Sequence, residues 1–375
     1  MQVSTDGRIR VCYTLTSDGG ESAESRARQI ALEQTVELPE GCYPREIERE
    51  VVGRVEAVEQ RSAARSVVTV SYPVDLVGTE IPALLNILWG NISMQSGIVV
   101  SDIELPRSVL DAVGGPRFGL EGVRKICGGI EHRPLVLSAA KPVGLSAAAL
   151  AERCATLARG GIDAVKDDHG VMDQRTAPFR ERVRRCQDAV AEANGLTGGD
   201  TQYFPNVTAP LDELDDRVGF AREVGCHGVV VSPFLTGLDA LRRVADSSEV
   251  AVFTHPTSAG GFMQPDHGMT PPVLLGTLLR VLGADGVIYV NAGGRFPVTE
   301  GACVEINRRL TAPIKGIRPS VPIPGGGVDV NTVSHLVRRY GVDVMLLIGS
   351  SLYDQADLED ATKNLMHELE RRSDG

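Results

Sequence analysis

The sequence predicts an eight-fold β/α barrel over residues 116–375, preceded by a small α+β domain over residues 1–115. Three observations predict it. Short apolar runs alternate with amphipathic segments eight times after Arg117. Each run ends in a polar residue or glycine. The first ~115 residues lack that rhythm and are long enough for a domain of their own. Strands alternating with helices of 10–15 residues imply parallel pairing, and eight such units suit a closed barrel better than an open doubly wound sheet.

The barrel elements follow in order. Pro134–Pro142 is the first strand, and 146–160 is a helix stopped by Gly160 and Gly161. Ile162–Asp168 is the second strand, with an Arg-rich helix over 178–193. Strands at 203–208, 228–232 and 250–255 are followed by helices at 212–224, 237–245 and 272–282. Strands at 286–291, 321–325 and 342–348 are followed by helices at 301–310, 330–340 and 357–371. In front of the barrel, 8–15 and 66–73 alternate as half-buried strands, while 22–34 and 81–88 read as helices.

Composition narrows the function. No apolar run reaches 18 residues, and no cationic-then-apolar leader opens the chain, so neither a membrane span nor a signal peptide is expected. Seven scattered cysteines without a Cys-x-x-Cys pair argue against disulfides and a zinc ribbon, which makes the cytoplasm the expected location. A net charge of −11 argues against nucleic acid as the partner. Only five of the 38 basic residues are lysines.

Chemistry in such barrels sits at the carboxyl ends of the strands. Those ends carry Lys141, Lys166-Asp167-Asp168-His169, Asn206, Ser232, His255, Asn291, Gly325-Gly326-Gly327 and Gly349-Ser350-Ser351. Period two puts Lys166 and Asp168 on one face, as a buried ion pair or as part of a metal or catalytic site. Gly326, Gly327, Gly349 and Ser350 follow the last two strands, where exposed backbone N–H groups suit a phosphate, and Arg295 is a candidate for adding charge to it. His255, ahead of a Pro-Thr-Ser-Ala-Gly-Gly loop, is a further catalytic candidate.

Taken together these residues resemble a known family. Gly160-Gly-Ile-Asp-Ala-Val-Lys166-Asp-Asp168 is similar to the Gly-Gly-x-Asp-x-x-Lys-Asp-Asp-Glu motif of RuBisCO and the RuBisCO-like proteins. Lys141-Pro-Val-Gly-Leu-Ser146 resembles the Lys-Pro-x-x-Gly-Leu-Ser segment, one residue shorter. Trp89-Gly90-Asn91-Ile92 and Ala31-Leu-Glu33-Gln-Thr-Val-Glu37 resemble segments of the N-terminal domain, and Thr254-His255-Pro256 and Gly293-Gly-Arg-Phe296 look more like the RuBisCO-like proteins than true RuBisCO.

The resemblance implies a ferredoxin-like N-terminal domain and a homodimer in which Glu33 and Asn91 come from the partner subunit. It implies a CO₂-derived carbamate on Lys166 that ligates Mg²⁺ with Asp168 and residue 169. Lys141 would act near the enolising carbon of a phosphorylated substrate.

Two departures matter. Residue 169 is histidine where the family has glutamate, which weakens Mg²⁺ and favours a softer divalent ion. The stretch 295–301 lacks the lysine that carboxylation needs, so CO₂ fixation is not expected. The remaining chemistry is enolisation by an isomerase or tautomerase acting on a phosphorylated keto-sugar, as in sulfur-sugar salvage, with the carbamate or His255 as base. Decarboxylation of a phosphorylated 3-oxo sugar acid, metal-free sugar-phosphate binding, and a Schiff-base aldolase using Lys166 or Lys141 are the alternatives.

Overall fold

In the strand β1 (Arg8–Thr16) Ile9, Val11, Tyr13 and Leu15 are buried and the residues between them are partly exposed, so one face covers a core. The structure is a computed structural model that describes residues 3–4, 7–16, 20–247, 249–328 and 332–373. β2 (Arg54–Ser62), β3 (Arg65–Pro73) and β4 (Ile98–Pro106) complete an antiparallel set in the order β4-β1-β3-β2. Helices Ala23–Glu33 and Ile81–Trp89 connect β1 to β2 and β3 to β4, giving the ferredoxin-like β-α-β-β-α-β order. Ser22 caps the first of them, accepting from the Ser25 N–H at 3.1 Å. β2 and β4 escaped the sequence reading. β2 is almost wholly exposed, so its residues carry no apolar alternation.

Packing divides the chain into two compact units: Met1–Gly115, Ser258–Val281 and Ile314–Ile317 in the first, and Pro116–Thr257, Leu282–Pro313 and Arg318–Gly375 in the second. Residues 258–281 and 314–317, expected within the barrel domain, therefore group with the first unit. The reason is backbone pairing: a short strand, His267–Met269, lies parallel to β4 and extends its sheet. The helix expected over 272–282 is π-helical from Pro272 to Leu278 before an α-helical turn to Val281.

The second unit holds the barrel. Its strands are β5 (Leu135–Ala140), β6 (Ala164–Asp167), β7 (Gln202–Phe204), β8 (Gly228–Val231), β9 (Ala251–Thr254), β10 (Gly286–Val290), β11 (Val321–Gly325) and β12 (Met345–Leu347). They pair in parallel in the order β7-β6-β5-β12-β11-β10-β9-β8. The circle closes where Val207 N–H donates to Val230 O at 2.9 Å and Val230 N–H to Pro205 O at 2.8 Å. Leu137, Ala164, Phe204, Val230, Phe253 and Ile323 belong to the central core. Phe204 and Phe253 stack at 4.6 Å. A Cβ at Gly228 would stand 2.6 Å from the Phe204 ring and one at Gly286 2.4 Å from the Phe253 ring, so only glycine admits these rings. The helix expected from Val330 begins outside the described residues and is seen from Val333 to Tyr340.

Two carboxylates tie together the amino ends of the strands. Asp163 takes a bidentate pair from Arg133 at 2.7 and 2.9 Å and the Val136 N–H at 2.7 Å. Asp285 accepts from Phe118 N–H, Gly119 N–H and Val252 N–H at 2.7, 2.7 and 2.9 Å. These groups fix the end of the barrel opposite the candidate site.

Candidate active site

Alternation along β6 assigns different work to successive residues of the Lys-Asp-Asp run. Ala164 faces the central core, and Lys166, two residues on, shares its side of the strand and is 1% exposed. Asp167 faces the opposite way, where it accepts from Tyr203 OH at 2.7 Å, Asn206 N–H at 3.0 Å and Arg182 Nε at 3.1 Å. Arg182 and Asp167 both have fully buried side chains, so this pair braces the strand from behind. Asp168 emerges at the mouth.

Four further candidates meet Asp168 or one another there. Lys141, just past β5, sets Nζ 3.6 Å from Asp168 Oδ2. His169 Nδ1 lies 3.0 Å from Asp168 Oδ1. The His169 ring stacks on that of His255 with centroids 4.3 Å apart and 7° between the planes. Lys166 Nζ donates to Asp167 O at 3.0 Å.

The electrostatics follow from that crowding. Burial pushes the Lys166 ammonium down to about 8, helped by the positive charge of Lys141 and opposed by Asp168 and Asp167. Burial would raise Asp168, but the hydrogen bond from His169 and the charges of Lys166 and Lys141 outweigh it and hold the carboxyl well below its usual range. Burial, with Lys166 and His169 adding, holds His255 well below the usual imidazole range.

The other candidates fall into three places. Asn291, at the end of β10, is 2% exposed and its Oδ1 accepts from Tyr340 OH at 2.8 Å. Gly326 and Gly327 follow β11 with φ of +75° and +71°, a conformation that favours glycine. A Cβ on Gly327 would sit 2.7 Å from Gly294 Cα, so the loops after β10 and β11 pack backbone against backbone. Gly349 and Ser350 follow β12, where Ser350 opens a four-residue helix. Arg295 lays its guanidinium over the Phe296 ring at 5.7 Å. Glu33 and Asn91 lie in the first unit, joined by a 3.0 Å hydrogen bond from Asn91 Nδ2 to Glu33 Oε1.

Residues 107–303 match the family described as ribulose bisphosphate carboxylase large chain, catalytic domain. The chain is 36% identical over 353 residues to the 5-methylthioribulose-1-phosphate isomerase of Rhodospirillum rubrum, spanning 93% of this chain and 92% of that one. It belongs to the RuBisCO large-chain family. It is also 30% identical over 358 residues to the 2,3-diketo-5-methylthiopentyl-1-phosphate enolase of Bacillus velezensis, spanning 92% and 87%. Among solved structures it is similar to the Rubisco-like protein from Rhodopseudomonas palustris, with 37% identity, a TM-score of 0.88 and 98% of each chain covered.

A metal held as the family implies must be tested against the donors present. Among the described residues, no three of His, Cys, Asp and Glu converge on one point. Held as the family implies, a divalent ion would take Lys166 as a third ligand beside Asp168 and His169. A protonated amine cannot ligate, whereas a carbamate can, and carbamates form from neutral amines. The depressed Lys166 gives on the order of a hundredfold more neutral amine at pH 7 than an exposed lysine. The residues thus fit a divalent ion in a mixed oxygen and nitrogen set.

Sequence reasoning named Asn206 only as a strand-end residue and missed two positioning tyrosines, Tyr340 and Tyr353. Asn206 Nδ2 donates to His169 O and Val171 O, both at 3.0 Å, and so shapes the loop that carries His169. Tyr340 holds Asn291, and Tyr353 OH donates to Ala139 O at 2.9 Å, just ahead of Lys141. Asn206 stood at a strand end, which was a signal. Tyr340 and Tyr353 reach across 49 and 214 residues, and no local pattern marks them.

Proposed function

We propose that this RuBisCO-family protein is an enolising isomerase of a phosphorylated ketose, with a methylthio-substituted ribulose 1-phosphate as the first substrate to test. The observation that carries the reading is the buried, depressed Lys166 amine on the same side of β6 as Ala164, with the ionised Asp168 beside Lys141 at the mouth. The full-length similarity to a 5-methylthioribulose-1-phosphate isomerase supports the substrate class.

In this reading the phosphate rests on backbone N–H groups at Gly326, Gly327, Gly349 and Ser350, with Asn291 alongside. Carbamylated Lys166, Asp168 and His169 would hold a divalent ion, whose positive charge would favour loss of a proton beside the carbonyl. With Lys166 committed to that role, Lys141 is the amine that removes the proton beside the carbonyl. The proton returns at the neighbouring carbon, giving an isomer of equal mass. A homodimer supplying Glu33 and Asn91 from the second copy belongs to the same reading, as does the absence of carboxylation.

The test is phosphorus and carbon NMR of the protein with 5-methylthioribulose 1-phosphate, bicarbonate and Mg²⁺ or Mn²⁺. Conversion to an isomeric phosphate of unchanged mass is expected. No change with this or any related ketose phosphate, or decarboxylation of a phosphorylated 3-oxo sugar acid in its place, contradicts it.

A further inference from the structure

We infer that Thr257 is a positioning residue that holds His255 as the Nε2–H tautomer, so that His255 meets the substrate as a hydrogen-bond donor and not as the base. The inference rests on the isomerase reading for its consequence, but its premise is geometric.

Two groups of Thr257 address the same ring nitrogen. The backbone N–H of Thr257 donates to His255 Nδ1 at 3.2 Å. The Thr257 hydroxyl oxygen lies 2.6 Å from the same atom. An amide N–H can only donate, so Nδ1 must present its lone pair. The hydroxyl, free to rotate, then donates as well. A neutral imidazole carries one N–H, and with Nδ1 an acceptor that proton is on Nε2. A ring turned by 180° would set carbon against both donors and leave them unsatisfied.

The backbone holds this arrangement in place. His255 N–H donates to Val231 O at 2.9 Å, continuing the β9–β8 pairing one residue past the strand. Pro256 fixes φ between the two residues. The ring is further confined by its stack on His169 at 4.3 Å.

The chemical consequence is directional. A base needs a free lone pair toward the substrate, and the lone pair of His255 is engaged by Thr257. What remains is the Nε2–H, suited to an oxygen that gains negative charge when the neighbouring C–H is lost. Neutral histidine as an electrophile is a known solution for enolisation, established in triosephosphate isomerase. His255 therefore supports the enolate oxygen, and proton removal falls to Lys141.

The experiment has two arms, the first independent of substrate. Long-range ¹H–¹⁵N NMR of the histidine-labelled protein as isolated, with His255→Asn for assignment, reads the tautomer directly. The expected result is a protonated Nε2 and an unprotonated Nδ1, with the Nδ1 resonance moving in Thr257→Val as the hydroxyl donor is lost and the backbone donor remains. A protonated Nδ1 in the wild type, or an Nδ1 resonance that does not move in Thr257→Val, overturns the inference. In the second arm, Thr257→Val is expected to lower kcat about tenfold, the scale of one hydrogen bond, with KM little changed. Thr257→Ser is expected to restore most of that loss. Equal kcat in wild type and Thr257→Val, with both folded by thermal melting, also overturns it. Wild-type inactivity would count against the isomerase reading and leave the NMR arm decisive for the tautomer.

Discussion

The imidazoles of His169 and His255 lie face to face, 4.3 Å apart and 7° from parallel. Two rings at that distance cannot both carry charge without strong repulsion. His169, which stands where the family motif has glutamate, therefore does two jobs: its Nδ1 meets Asp168, and its ring covers one face of His255.

Substituting His169→Glu should separate those jobs. The change adds a unit negative charge next to Asp168, and a unit charge at 4 Å is worth about 1 kcal/mol in water and about 4 near a protein surface. Mg²⁺ affinity in bicarbonate buffer, measured by calorimetry, should tighten by roughly tenfold or more. Unchanged affinity would show that residue 169 is not a ligand.

Lys166 should react as an unusual lysine. Burial and the nearby Lys141 charge place its ammonium at about 8, below the ordinary 10.5, so the neutral amine appears at lower pH than in any exposed lysine. Carbamoylation by cyanate, followed by peptide mass spectrometry from pH 6 to 10, should rise with pH through a midpoint near 8 at Lys166. A midpoint at the ordinary value would refute the depressed amine.

Much of this was legible in the sequence, for physical reasons that also mark the limit. The barrel was visible because eight buried strands must be apolar and their ends must not be. Lys166 and Asp168 could be placed because period two is rigid in a strand. Asp167, between them, points away to Arg182 and Tyr203. Its partners lie 15 and 36 residues on, where no local spacing reports them. The exposed β2 and the capture of 267–269 by the first unit's sheet were hidden for a similar reason: backbone pairing, not side-chain pattern, creates them.

The amino end of the barrel should be costly to disturb. Arg133 and Asp163 have side chains 4% and 3% exposed and share two hydrogen bonds. Asp163→Ala leaves a buried guanidinium with its main partner gone, which costs about 3–5 kcal/mol. Urea unfolding should show that loss, while any activity surviving in the folded fraction should be close to normal. A loss under about 1 kcal/mol would mean that the pair is not a structural tie.

Ribulose bisphosphate should not be carboxylated. The stretch Arg295-Phe-Pro-Val-Thr-Glu-Gly301 contains no lysine to hold CO₂ against an enediolate. Incubation with labelled bicarbonate and ribulose bisphosphate should leave no acid-stable label above the Lys166→Ala control. Label that depends on Lys166 would contradict the expectation.

Enolisation itself is tested most directly by proton NMR of 5-methylthioribulose 1-phosphate in D₂O with bicarbonate and a divalent ion, comparing wild type with Lys166→Ala. Loss of the C–H signal beside the carbonyl in the wild type alone is the expected result. Retention of that signal while product forms, or equal exchange in Lys166→Ala, would contradict an enolising role for this site.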